Sequence, residues 1–183
     1  MKYFVLLFVA GLVGALACSP DGAKQPKLPR AEWVTLINDL AEKLAQQTDP
    51  TKMNAQTAQQ LVDQSLAFAE KYPKDTLTPA FLFRAADVSR GLNQISQALD
   101  IWARVHHQYP ESKRAAEALF FQAFTYDKDL KNADAAIPLY QSFLEKYPDH
   151  AFARDAQMLM EILQSGKTPE ELIREFEQKN QGQ

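Results

Sequence analysis

Two stretches decide the fold: ALDIWARVHHQYP, Ala98–Pro110, and AIPLYQSFLEKYP, Ala136–Pro148. At a shift of 38 residues, Ala98 meets Ala136, Trp102 meets Tyr140, and the closing Tyr-Pro pairs coincide. Outward from there, the same register lays Ala85 on Ala123, Leu99 on Ile137 and Glu111 on Asp149. A third Tyr-Pro, Tyr72-Pro73, precedes Tyr109-Pro110 by 37 residues. Matches sustained in one register mark an internal repeat, and a period of this size means stacked supersecondary units. Proline disfavours helical geometry in the residue before it, so each Tyr-Pro ends a helix. Tyrosine then closes the edge of the core with its hydroxyl toward water.

Apolar spacing fills in the units. Trp33, Leu36, Ile37, Leu40 and Leu44 lie on one helical face, and Ala115, Leu119, Gln122, Ala123 and Tyr126 give a similar stripe. Small residues at Ala85, Ala98 and Ala123 let helix axes approach toward the short end of about 8–10 Å. Trp102 and Tyr140 fill the space between pairs. The pattern predicts eight helices, at 31–47, 54–71, 76–91, 94–108, 112–130, 134–146, 151–165 and 169–180. Pro138 is tolerable only if its helix begins near Asp134, because the first four N–H groups of a helix lack partners anyway. Thr168-Pro169-Glu170-Glu171 is a helix start, with an N-cap threonine, proline at the first position and glutamate at the third. The helix it opens reads as a polar-faced cap on the array.

These residues resemble the tetratricopeptide repeat: alanine, a large aromatic four residues on, and proline eight residues later. Ala98, Trp102 and Pro110 satisfy that pattern, as do Ala136, Tyr140 and Pro148, and a degenerate copy ends at Pro73. The chain departs from the family in carrying Ala85 and Ala123 for the usual glycine, and Val88 where Tyr126 keeps the tyrosine. The resemblance implies an all-α, right-handed solenoid of stacked helix pairs with a concave face for a protein or peptide partner. The lengthened period, with FLEKYPDH at Phe143–His150, is similar to repeats of bacterial envelope proteins, including outer-membrane assembly lipoproteins and Tol–Pal-associated periplasmic proteins.

The amino terminus reads as an address. Lys2 precedes the apolar run Tyr3–Ala17, 15 residues long, which ends in small residues before Cys18, the single cysteine. That is the form of a secretory signal peptide, and the run is shorter than the roughly 20 residues of a spanning helix. Ala15-Leu16-Ala17-Cys18 resembles the lipobox of bacterial lipoproteins, although the family prefers leucine at the position of Ala15. The resemblance implies diacylation of Cys18 and, through Ser19, an outer-membrane destination facing the periplasm. Pro20, Gly22, Pro26 and Pro29 make the next residues a flexible tether, with Leu28 their one large apolar side chain. The expected organisation is therefore 1–17 leader, 18–30 lipidated cysteine and tether, 31–73 degenerate helix pair, 74–180 repeats with a capping helix, and 181–183 disordered tail.

Composition narrows the chemistry. The 183 residues carry 20 lysines and arginines against 23 aspartates and glutamates, net −3, with no basic excess for a phosphate backbone. Removal of residues 1–17 takes Lys2 away and leaves 19 against 23. One cysteine forms no internal disulfide, and no Cys/His spacing suits zinc. The 6 glycines are too scattered for a phosphate loop, so no cofactor is expected. His106 and His107 are adjacent, about 100° apart on a helix, and make no joint metal site; the expectation is a solvent-exposed or capping role, with His150 in a turn. Glu170, Glu171, Glu175 and Glu177 read as a solvated face without catalytic surroundings. No nucleophile or metalloprotease motif is present.

By resemblance to the family, the groove positions fall six and three residues before the small residue, and one, four and five after it. Counted from Ala85 they are Pro79, Leu82, Ala86, Ser89 and Arg90. Counted from Ala123 they are Glu117, Phe120, Phe124, Asp127 and Lys128, and a partial third copy adds Asp155, Met158 and Ile162. Leu82, Phe120, Phe124, Met158 and Ile162 then form an apolar floor flanked by Arg90, Asp127 and Lys128. The expected function is a non-enzymatic scaffold lipoprotein that binds a protein or peptide in bacterial envelope assembly. The alternative is binding of a small ligand or peptidoglycan fragment in a closed pocket.

Overall fold

A computed structural model describes residues 28–46 and 54–167, together with Glu171 and Arg174, both helical. Among the described residues there are seven helices and no strand: α1 Arg30–Ala45, α2 Ala55–Lys71, α3 Thr78–Gly91, α4 Ile95–Gln108, α5 Arg114–Lys128, α6 Ala133–Lys146 and α7 Ala153–Ser165. Each packs on its neighbours in sequence, and α3 also touches α5. That is a solenoid of helix pairs, α1/α2, α3/α4 and α5/α6, with α7 opening the next. The expected leader, Cys18, most of the expected tether, nearly all of the expected last helix and the expected tail lie outside the described residues. No described helix is long and apolar enough to cross a membrane.

The Tyr-Pro turns are copies of one another. Tyr72, Tyr109 and Tyr147 each cap a helix with φ near −130° (−125°, −129° and −133°), their N–H groups bonded to Phe68, Val105 and Phe143 carbonyls. Their own carbonyls accept from Asp75, Ser112 and His150 at 3.0, 2.9 and 3.1 Å. Those three residues in turn accept from Thr78, Ala115 and Ala153 at 3.1, 2.9 and 2.8 Å, which starts the following helix. Proline ends the helix, and a short run of backbone hydrogen bonds restarts it at a fixed angle. The expected helices 76–91 and 112–130 accordingly lose residues to these turns, because Asp75 to Leu77 and Ser112 to Lys113 belong to them.

The turns inside the pairs repeat as well. Asn93 and Lys131, 38 residues apart in the chain, both take positive φ, at 61° and 52°. Asparagine tolerates that conformation and lysine does not. Lys131→Asn is expected to stabilise the fold by about 0.5–1 kcal/mol and raise the thermal midpoint by about 2 °C, read by circular dichroism. No change or a loss would contradict the strain at this turn.

The helix holding Pro138 starts within one residue of the expected Asp134, but the proline sits deeper in it than expected. Helix α6 begins at Ala133, capped by the Asn132 side chain, which accepts from the Ala135 N–H at 3.0 Å. Pro138 therefore lies beyond the four N–H groups that lack partners. It is exposed, so water can take the carbonyl its ring leaves free.

Three clusters run along the array. Trp33, Ile37, Phe68 and Phe81 join the first pair to α3. Val62, Leu82, Ala85, Ala98, Trp102 and Val105 form the middle cluster, which extends to Ala118. Leu119, Phe120, Ala123, Tyr140, Phe143 and Ala156 join α5, α6 and α7. Ala85, Ala98, Ala123 and Ala136 are each fully buried where helices meet, as the close axis approach requires. Half-buried Phe121 packs on both the middle and the last cluster.

Candidate partner-binding surface

Burial decides which helix faces remain open. Helix α3 buries most of its circumference, because α2 and α4 grip it on two sides. Ala80, Arg84, Asp87, Val88 and Gly91 stay partly or fully exposed along one strip, with partly exposed Arg90 at its edge. At 3.6 residues per turn, this strip is turned roughly 150° from the one expected through Leu82 and Ala86. On α5 the open strip runs through Arg114, Glu117, Phe121, Phe124 and Lys128, only about 50° from expectation.

The apolar floor is therefore not where the repeat register put it. Leu82 and Ala86 have no exposed area and belong to the middle cluster. Phe120 is 6% exposed, its ring held against Phe121, Phe124, Tyr140, Phe143 and Phe152. Asp127 is 5% exposed; it pairs with Lys128 Nζ at 2.9 Å and accepts from the Tyr140 hydroxyl at 3.5 Å. Burial and the adjacent Asp127 carboxylate raise the Tyr140 phenol above its ordinary range. Pro79 and Ser89 are buried too. Arg90, Glu117, Phe124 and Lys128 keep partial exposure, whereas exposed Met158 and half-buried Ile162 lie on α7, away from the groove described next.

Between α3 and α5 lies a groove of about 810 Å³, open on one side, lined by Asp87, Arg90, Ile95, Phe121, Lys128 and Leu130 among others. Phe121 forms an aromatic wall, stacked on Trp102 with ring centroids 5.7 Å apart. Arg90 crosses from α3 to Asp129 with contacts of 2.5 and 3.1 Å, its guanidinium 5.4 Å from the Phe124 centroid. Arg114 pairs with Glu117 and lies 4.9 Å from the centre of Phe83. Asp87 has no hydrogen bond or ion pair among the described residues, and the helices around it push its carboxyl up to about 6. Desolvation is the main cause; Arg114 and Arg90 oppose it and Glu117 adds to it. The spacing of charges on α3, Arg84, Asp87 and Arg90, was the sequence signal for its open side.

Two more hollows flank the array. One, of about 730 Å³, separates successive Tyr-Pro turns and is lined by Pro73, Asp75, Pro79, Tyr109, Pro110 and Arg114. The other, of about 400 Å³, lies between α1 and α3 along Asn38, Ala41, Leu61, Arg84 and Val88. Sequence reading did not find either, since each needs two turns or two helices brought side by side.

The histidine doublet splits. His107 faces out, whereas His106 is 5% exposed and sits between two partners. Its Nδ1–H donates to the Ala115 carbonyl at 3.2 Å, and Nε2 accepts from Lys146 Nζ at 3.2 Å. The expected exposed or capping role is thus corrected for His106: α5 and the end of α6 close over it. Desolvation depresses its pKa, helped by Lys146 and His107. The folded chain therefore binds fewer protons here than the unfolded chain, so the stability tied to neutral His106 is complete above about pH 6.5 and declines below it. His106→Gln should flatten the fall in urea midpoint between pH 7 and 5; an unchanged slope would contradict the assignment. No group of three or more His, Cys, Asp or Glu among the described residues could hold a metal ion.

Residues 80–112 and 117–150 match the tetratricopeptide repeat family. These two stretches are similar to tetratricopeptide repeats and together make up well under half of the 183 residues. Each matched stretch covers one helix pair, α3/α4 or α5/α6, through its closing Tyr-Pro turn. No curated protein and no solved structure matches the chain. Tetratricopeptide repeats serve as protein-interaction scaffolds, and the groove lies between the first helices of the two matched repeats.

Proposed function

We propose that this chain is a non-enzymatic scaffold lipoprotein of the bacterial outer membrane, anchored through Cys18. Facing the periplasm, it holds a segment of a partner protein during envelope assembly or maintenance. The observation that carries the partner reading is the open groove between the first helices of successive tetratricopeptide repeats. Its walls mix an aromatic ring with charge, and its open side suits an extended chain better than a small ligand, which needs enclosure. The anchor reading rests on the apolar leader and the lone cysteine at its end. Two acyl chains together hold a protein on a bilayer, since each buried methylene contributes about 0.8 kcal/mol.

Cys18→Ser should shift the protein from the membrane to the soluble fraction and abolish incorporation of labelled palmitate. Continued labelling, or retention on membranes, would contradict lipidation. For the groove, a photoreactive benzoylphenylalanine at exposed Leu130 should capture a partner in cells, while the same group at exposed Asp100 on α4 should not. Equal capture from both positions, or none from Leu130, would refute this surface.

A further inference from the structure

We infer that the α3–α5 groove accepts a basic segment of the partner: a lysine or arginine whose cation meets Asp87 and whose aliphatic stem lies on Phe121. This deepens the groove reading and rests on it. Charge complementarity favours a basic guest. Both cations that line the groove already have a carboxylate, Arg90 with Asp129 and Lys128 with Asp127, and Arg114 close to Asp87 has Glu117. Arg84 turns the other way, toward Asn38 Oδ1 on α1 at 3.5 Å. Asp87 alone, among the described charged residues lining the groove, has neither an ion pair nor a hydrogen bond.

Its surroundings make that isolation consequential. The carboxylate is open to the groove yet partly desolvated by its walls, and Arg90 and Arg114, each committed to another acid, offset that only in part. A guest cation supplies the missing counter-charge where screening by water is reduced. The same groove presents half-exposed Phe121, and a lysine or arginine stem covers such a ring while its head remains polar. An acidic guest would meet Asp87 unscreened and would have to break an existing pair to find a cation.

The test uses the full chain in cells, with benzoylphenylalanine at Leu130 and the captured partner segment mapped by mass spectrometry. The inference expects a segment of net positive charge with a lysine or arginine close to the cross-link. Asp87→Asn should lower capture at least tenfold and Asp87→Lys should abolish it. Asp100→Asn, the same charge change outside the groove, should leave capture unchanged. Changing the partner's cross-link-proximal lysine or arginine to glutamate should restore capture by Asp87→Lys. Capture of an acidic or neutral segment, or capture indifferent to Asp87, overturns the basic preference and leaves the groove standing. Failure of capture from Leu130 in the unaltered protein overturns the groove and this inference with it.

Discussion

Trp102→Ala lowers the free energy of unfolding by about 3–5 kcal/mol, the usual cost of emptying a fully buried tryptophan site. Trp102 has no exposed area, lies in the middle cluster and stacks on Phe121. Its indole N–H has no hydrogen-bond partner, so the loss is one of packing. Because each unit of a solenoid is supported by its neighbours, a cavity in α4 also weakens the coupling of α3 to α5. Urea denaturation followed by circular dichroism reads the effect as a large drop in midpoint. Trp102→Phe should recover a substantial part of it. A loss below about 1 kcal/mol for the alanine variant would mean that this site is not the centre of a packed core.

Phe120→Glu is expected to cost still more, above about 4 kcal/mol, since it removes a buried ring and places a charge among five others. The variant should melt far below the parent or fail to fold, seen by thermal circular dichroism and by rapid proteolysis. Phe124→Ser, at a half-exposed position one turn on, should cost about 1–2 kcal/mol and leave the helical content in place. Near-parental stability of Phe120→Glu would instead put that ring on an open floor, where the repeat register alone had placed it.

That contrast shows which parts of the molecule were legible before any coordinates. The helix pairs could be read because their signals are local and repeated: proline after Tyr72, Tyr109 and Tyr147 ends three helices in the same way, and Ala85, Ala98, Ala123 and Ala136 mark close contacts. The open face of α3 could not be read from apolar spacing. Phe81, Leu82, Phe83, Ala85 and Ala86 are all buried, so the helix is apolar nearly all round and its hydrophobic pattern points in no single direction. Charge spacing points better there, since Arg84 and Asp87 can reach water only on the narrow strip left between α1 and α5. On α5 a wider polar strip survives, and the expected face came within about 50° of the true one. His106 escaped because adjacent helical residues have different surroundings, and its own depend on Ala115 and Lys146, far away in sequence.

Helix register around α3 is also where the account is most directly tested. With Cys18 replaced by serine, a single cysteine at Ala86 or at Asp87 can be labelled with a maleimide in the folded protein. Neighbours in sequence, these positions face the core and the groove respectively, Ala86 having no exposed area and Asp87 lying open. Labelling is expected to be rapid at 87 and slower by at least about a hundredfold at 86, where it is limited by opening of the fold. Equal rates at the two positions, or faster reaction at 86, would contradict the stacking and the groove together.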